Sequence, residues 1–272
     1  MHKYLYYIFV ISYLIIILIP SYWIFRAAFS SQEHITAIPL NYNISLTLNN
    51  FYRLYDQLPL IKYISNSIIF SLVSAFFSVI FSFLAAYAFC RSNIKYKYYL
   101  MWALLITIAL PEISTIIPLY SVLNFMSLLD SVTGLCLIMS SLLTPFTVWI
   151  FVPFIKQVPI EIEEASIIDG ANTIDLFVKV LFPIIAPALA SMLLINFINA
   201  WNNLLLPLAY CATDSCKTLS VAITEVFGGR TPYGRPWDLI SALGIVIIFP
   251  LIFLIFFANK IIIKGLTAGA VK

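Results

Sequence analysis

Gln157–Pro183 reads QVPIEIEEASIIDGANTIDLFVKVLFP, and it is acidic where the sequence on either side is apolar. Glu161, Glu163, Glu164, Asp169 and Asp175 place five of the chain's twelve acids within fifteen residues. Ala165, Ile168, Ala171, Ile174, Phe177 and Leu181 recur at steps of three and four, the spacing of one helix face. Gly170 interrupts that pattern, and Asn172 followed by Asp175 suits a helix that restarts with a capped first turn. The expectation is two short helices joined at a glycine, apolar on one side and acidic on the other. An apolar face outside a bilayer needs a cover. Helices that lie on lipid usually carry Lys and Arg on the polar side. An acidic side would be repelled by anionic lipid, so the pattern points to docking on a protein.

Outward from this stretch the chain is membrane protein. It is 62% hydrophobic and 10% charged, with a mean hydropathy of +1.00. A helix needs about 20 apolar residues to cross the hydrocarbon layer. Spans are expected at about 4–25, 63–90, 98–118 (broken at Pro111), 132–155, 183–207 and 239–258, with the acidic loop at 156–182. The fold class is all-α, one membrane domain over residues 1–272. The first apolar run, although followed by Arg26-Ala27-Ala28, is longer than a signal-peptide core and reads as a retained anchor. A net charge of +3, dispersed along the chain, gives no nucleic-acid signature.

The acidic stretch resembles the EAA loop of the membrane subunits of binding-protein-dependent ABC importers: Glu-Ala-Ala, three residues, Gly, nine residues, then Ile-x-Leu-Pro. The matching residues are Glu164-Ala165-Ser166, Gly170 and Val180-Leu181-Phe182-Pro183, departing at Ser166, Val180 and Phe182. Asn66-Ser67, Trp201-Asn202 and the terminal Gly265–Lys272, in this order, are similar to the MalG-type permeases of carbohydrate importers. The resemblance implies a type I importer permease with six spans and both termini cytoplasmic, in a prokaryotic cytoplasmic membrane. It implies a second permease, a pair of ATPase subunits, an external substrate-binding protein and a sugar substrate, with ATP and Mg held by the ATPases. It also implies that Glu163, Glu164, Ala165, Ser166, Asp169, Gly170 and Ala171 couple to the ATPase, Glu164 foremost. A non-sugar importer of the same class is the nearest alternative.

Orientation follows from flanking Lys and Arg. A cytoplasmic amino terminus places nine of the fifteen inside, with Arg91, Lys95 and Lys97 carrying most of the bias. The chain has no Gly-x-x-x-x-Gly-Lys-Ser/Thr phosphate loop, and His2 and His34 stand apart from any nucleophile or ligand cluster. ATP hydrolysis is therefore assigned to another subunit. Ser67, Ser71, Ser74, Ser78, Ser82 and Ala85 form a small-residue stripe expected to be a packing seam. Asn196, Asn199 and Asn203 share a helix face within about 60° at 100° per residue. Amides facing hydrocarbon are costly, so that stripe is expected either to bond other helices or to line a translocation path. Glu112 is expected near the outer end of the third span. The external loop EVFGGRTPYGRPWD (225–238), with Gly228, Gly229, Arg230 and Tyr233, is expected to meet the binding protein. The resemblance also implies that the cytoplasmic tail 265–272 lies at the ATPase interface. Cys211 and Cys216 share one loop and are read as free thiols, a short disulfide being the alternative. An ion-coupled secondary transporter is the competing class; it calls for intramembrane ionisable residues and internal repeats. Only Glu112 meets the first condition, and no repeat is visible.

Overall fold

The computed structural model describes residues 2–38, 46–232 and 234–268, with side chains over 4–38, 46–232 and 234–256. The helices are α1 (His2–Ala28), α2 (Gln32–Thr36), α3 (Asn49–Gln57), α4 (Leu60–Arg91), α5 (Lys97–Ala109), α6 (Glu112–Phe125), α7 (Val132–Lys156), α8 (Ile160–Ile168) and α9 (Thr173–Asp175). From α9 a π-helical turn, Leu176–Leu181, leads into α10 (Phe182–Trp201), followed by α11 (Leu205–Tyr210), α12 (Leu219–Gly228) and α13 (Trp237–Ala268). Among the described residues the one extended pairing joins Thr231 to Gly234. The chain divides into two units: 1–64 with 218–253, and 65–217 with 254–272.

Among the described residues, five helical stretches are long and apolar enough to cross a membrane: Tyr4–Ala28, Leu60–Arg91, Val132–Lys156, Thr173–Trp201 and Trp237–Phe256. The third span, expected over 98–118 with a break at Pro111, is a bent pair of helices, Lys97–Ala109 and Glu112–Phe125. Leu110, directly before Pro111, takes an extended ψ of 129°, the conformation a following proline ring imposes. Helices α5 and α6 therefore meet at 104°.

In the second unit, the contacts between α4 and α7 decide what this bent pair does. Ser74 Oγ donates to the Cys136 carbonyl, Ser82 Oγ to Thr144 and Cys90 Sγ to Val152, each across a separation of 62 residues. A constant offset means that α4 and α7 run parallel. The chain leaving Arg91 must then return to the opposite end before α7 begins, and α5 with α6 makes that journey. The bent pair is a crossing, and with it the candidate spans among the described residues come to six.

The serine stripe is the seam of this pair. Ser71, Ser74, Ser78 and Ser82 are fully buried, and side chains this small let the helix backbones approach closely. Apolar residues close the seam further along, where Val79, Phe83 and Ala86 pack with Val148, Phe151, Val152 and Ile155 and with Leu181, Ile185 and Met192. A second cluster gathers Phe70, Leu123, Leu135, Ile138 and Leu143 with Ala200, Leu206 and Tyr210.

The fifth span, expected to reach 207, ends at Trp201. Asn203 Oδ1 accepts from the Leu206 amide at 3.0 Å and starts the separate helix α11. The free-thiol reading of Cys211 and Cys216 is also corrected: they form a disulfide with Cα atoms 5.3 Å apart, inside the usual bridging range. Around this loop, Asn66 Nδ2 donates to the carbonyls of Ser215 (3.2 Å) and Lys217 (2.9 Å). Asp130 accepts from the Ala212 and Thr213 amides and from the Thr213 hydroxyl. Those hydrogen bonds, the Thr213 hydroxyl foremost, hold the Asp130 carboxyl below the usual carboxylate range.

In the first unit, Arg53 pairs with buried Asp238 at 2.7 Å. Asn50 Nδ2 bonds the Ala28 and Ser30 carbonyls, and Gln32 Nε2 donates to the Arg235 carbonyl. These contacts tie α2, α3 and the start of α13 to the end of α1.

Two outcomes test this packing. Ser82→Leu, at a fully buried position in the seam, should destabilise by about 1–3 kcal/mol and lower the melting temperature of the detergent-solubilised subunit. Phe81→Leu next to it, on an exposed face, should leave that temperature nearly unchanged. A carboxyl whose folded pKa is lowered contributes stability above its unfolded pKa, and that stability fades as pH falls through the folded value. The melting-temperature gap between wild type and Asp130→Asn should therefore be open near neutral pH and close as the pH drops below about 3.9.

Candidate functional site: the coupling loop and the pathway residues

Helix α8 starts at Pro159, a residue suited to a helix entrance because its missing N–H would be unsatisfied there in any case. It ends in a paired hydrogen-bond motif at Gly170. The Gly170 amide donates to Ile167 O and the Ala171 amide to Ser166 O, both at 3.0 Å. This is a Schellman ending, and it needs a left-handed residue; Gly170 has φ +89°. Asn172 then caps α9, its Oδ1 accepting from the Asp175 amide at 2.9 Å. The sequence expectation of two short helices about a glycine thus has a local cause at each joint. A π-helical turn follows, a distortion found often at functional positions.

The apolar pattern splits once the loop is folded. Phe177 packs edge-on against Tyr87 and Phe83, with ring centroids at 4.7 and 5.6 Å, and Leu181 is in the core. Ile168 and Ile174, in contrast, are 85% and 73% exposed, and Ile167 is exposed beside them. Glu164, Ala165, Asp169 and Gly170 are exposed; Ser166 and Ala171 are half-buried. An apolar strip flanked by acids is left uncovered around the glycine.

Glu163 behaves differently from the rest of its expected set. It is buried, with a side chain 5% exposed, and pairs with Arg91, the last residue of α4. Arg91 Nε lies 2.8 Å from Glu163 Oε1, and one terminal nitrogen of the same guanidinium lies 2.7 Å from that oxygen. Tyr87 Oη donates to Oε2 at 3.0 Å. The guanidinium also donates to the carbonyls of Val158 (2.7 Å) and Ile155 (3.3 Å), which closes the end of α7. Removing one member of such a pair leaves a buried charge and costs on the order of 3–5 kcal/mol. The sequence reading used Arg91 for orientation alone. The signal that could have found this contact is Phe83, Tyr87 and Arg91 at steps of four, one helix face pointed at the loop.

The asparagine stripe does not stay together. Asn196 is buried, donating to Ser78 Oγ (3.2 Å) and Thr147 Oγ1 (2.9 Å) and so joining α4, α7 and α10. Asn199 is exposed. Asn203, beyond the helix end, donates to Glu112 Oε1 at 2.6 Å. That pair edges a cavity of about 220 Å³ shared with Thr107, Thr115 and Phe146. Glu112, half-buried at the break in the third span, therefore meets an amide. In the first unit, α12 stops at Gly228, and Gly229 and Arg230 are exposed beside Arg53 and Glu225 around a cleft of about 300 Å³. Tyr233 and residues 269–272 lie outside the described residues, as do the side chains from 257 onward.

A family profile described as the inner membrane component of binding-protein-dependent transport systems matches residues 78–268. The chain belongs to that family. The matched region contains the bent third span, the acidic loop 156–182 and the last two spans. The permease is 30% identical over 256 residues to the sulfoquinovosyl glycerol transport system permease of Agrobacterium fabrum, covering 94% of this chain and 89% of that one. It is 31% identical over 255 residues to the trehalose transport system permease of Mycobacterium tuberculosis, covering 94% and 92%. It is 29% identical over 260 residues to the trehalose/maltose transport system permease of Thermococcus litoralis, covering 95% and 92%.

The geometry at Gly170 separates backbone need from crowding. An added Cβ would meet no atom within 4 Å, yet φ +89° strains any L side chain by roughly 1–2 kcal/mol. Gly170→Ala and Gly170→Leu should therefore loosen residues 160–181 to similar extents in the isolated subunit, read by amide hydrogen exchange. A penalty that grows with size should appear only when the loop is covered by a partner.

Proposed function

We propose that this permease is one of two membrane subunits of an ATP-driven carbohydrate importer in a prokaryotic cytoplasmic membrane, and that it is not itself catalytic. A pair of cytoplasmic ATPase subunits docks on the loop 156–182, and an external binding protein delivers the sugar. Both termini and the loop face the cytoplasm.

The observation that carries this reading is the uncovered strip at Ile167, Ile168 and Ile174, set among Glu164 and Asp169 on a capped glycine bend. Its apolar centre supplies buried area to a partner and its acids supply selectivity for a basic one. Glu164 makes the polar contact to the ATPase. Ala165, Ser166 and Ala171 keep the surface low enough for close approach, and Gly170 holds the bend. Asp169 acts at the edge of the same contact, while Glu163, buried against Arg91 and Tyr87, supports the loop from within the chain. ATP-driven closure of the ATPases moves the loop, and the loop moves the spans, because the two arrangements of the permease bind the closed and open ATPase unequally.

The sugar assignment is supported by the relatives, whose substrates are named as sulfoquinovosyl glycerol, trehalose and trehalose or maltose. An arabinooligosaccharide permease of Halalkalibacterium halodurans and a diacetylchitobiose permease of Streptomyces coelicolor, 29% and 28% identical, extend the same chemistry. Asn199, exposed on α10, offers an amide suited to sugar hydroxyls along the path, whereas Asn196 and Asn203 are engaged within the chain by Ser78, Thr147 and Glu112. Gly228, Gly229, Arg230 and Tyr233 face the binding protein.

Glu164→Lys should leave the permease in the membrane while cutting ATP-dependent sugar uptake into proteoliposomes by about tenfold or more, the effect of reversing one charge at a desolvated interface contact. Uptake equal to wild type would remove Glu164 from the contact.

A further inference from the structure

We infer that the stripe Phe83, Tyr87 and Arg91 at the end of α4 is the receiver of the coupling loop: it positions both arms of the loop and passes their movement to the spans. The inference rests on the importer reading above and goes beyond it by naming residues outside the loop.

The two arms converge on one helix face. Glu163, on the first arm, meets Arg91 and Tyr87. Phe177, on the second, meets Tyr87 and Phe83. Residues at steps of four lie above one another on a helix, so one rigid ridge grips the α8 arm through a buried ion pair and the π-helical arm through aromatic edges. The Arg91 guanidinium also holds the carbonyls of Ile155 and Val158. Displacement of α8 therefore pulls α4 and the end of α7 together. Consecutive residues on a helix point about 100° apart, which explains the adjacent acids: Glu164 faces outward toward a partner while Glu163 faces the ridge. Arg91, Tyr87 and Glu163 are positioning residues; none touches substrate or nucleotide.

The test uses the whole complex, with both permeases, the ATPases and the binding protein, reconstituted in proteoliposomes. Two quantities are read: ATP hydrolysis stimulated by the sugar-loaded binding protein, and sugar taken up per ATP. For Glu163→Gln the ATPases should remain bound and hydrolysis should stay within about twofold of wild type. Uptake per ATP should fall about tenfold or more, the scale of one lost charge-assisted hydrogen bond. Arg91→Gln/Glu163→Gln should be no worse than the more severe single variant, since both members serve one contact. Tyr87→Phe, which removes a hydroxyl and keeps the ring, should lower uptake per ATP by a smaller factor with assembly intact. Uptake per ATP within twofold of wild type in Glu163→Gln would overturn the inference. So would loss of the ATPases from both Glu163→Gln and Tyr87→Phe, which would make the ridge a scaffold for docking only. If the wild-type complex shows no ATP-dependent sugar uptake, the importer reading itself fails, a result distinguishable from either of these.

Discussion

The parallel seam between α4 and α7 is the constraint from which the rest follows. In hydrocarbon there is no hydrophobic gain in bringing two helices together, so their association rests on close packing and on hydrogen bonds that bind side chains to backbone. Ser74 and Ser82 supply both: they are small enough for close approach, and each donates across to a carbonyl of α7. Because the seam is parallel, the two C-terminal ends lie side by side. Arg91 can then reach the last carbonyls of α7 and the acid of the helix that follows. An antiparallel pairing would have put Arg91 at the far side of the membrane from that loop.

The loop itself joins two kinds of surface within some fifteen residues, Glu163 to Phe177. Its inward side is satisfied within the chain, with Glu163 neutralised by Arg91 and Phe177 seated among aromatics. Its outward side is unsatisfied, with apolar Ile168 and Ile174 open to solvent beside charged neighbours. The inward contacts are of a strength that resists being pulled apart. The outward face is of a kind that a partner covers and uncovers at lower cost. The proposed coupling role needs this asymmetry: a firm joint at the bundle and a releasable one at the ATPase.

Much of this was readable in advance, and the parts that were not have specific causes. Composition and run length located the spans at α4 and α7 within a few residues. Glycine and asparagine chemistry located the bend and the cap at Gly170 and Asn172, because those features depend on local backbone alone. The loop's exposed and buried faces were not separable in sequence. Ile168 and Leu181 fall on the same helical period, but the π-helical turn at Leu176–Leu181 changes the phase between them. The end of the fifth span was missed for a similar reason, since an apolar run does not reveal that Asn203 turns back to cap Leu206. Pairings such as Arg91 with Glu163, 72 residues apart, depend on the seam and become visible only once the helices are placed.

The chemistry inside the spans bears on what drives the permease. The polar contacts that hold α4, α7 and α10 together are amides and hydroxyls: Asn196 with Ser78 and Thr147, and serines with carbonyls. None of these groups titrates in the accessible pH range. Among the described residues, the ionised groups of α4 and α7 lie at their helix ends. Glu112, the one acid at a break in a span, is bonded by the side-chain amide of Asn203. Transporters coupled to ion gradients place ionisable groups or carbonyl cages along the path so that binding an ion changes which state is favoured. On the function proposed above, the group that biases one arrangement over another is the charged loop between α7 and α10. The free energy that moves this bundle is therefore expected to enter through the loop, from a subunit that hydrolyses ATP, and to reach the spans by way of α4.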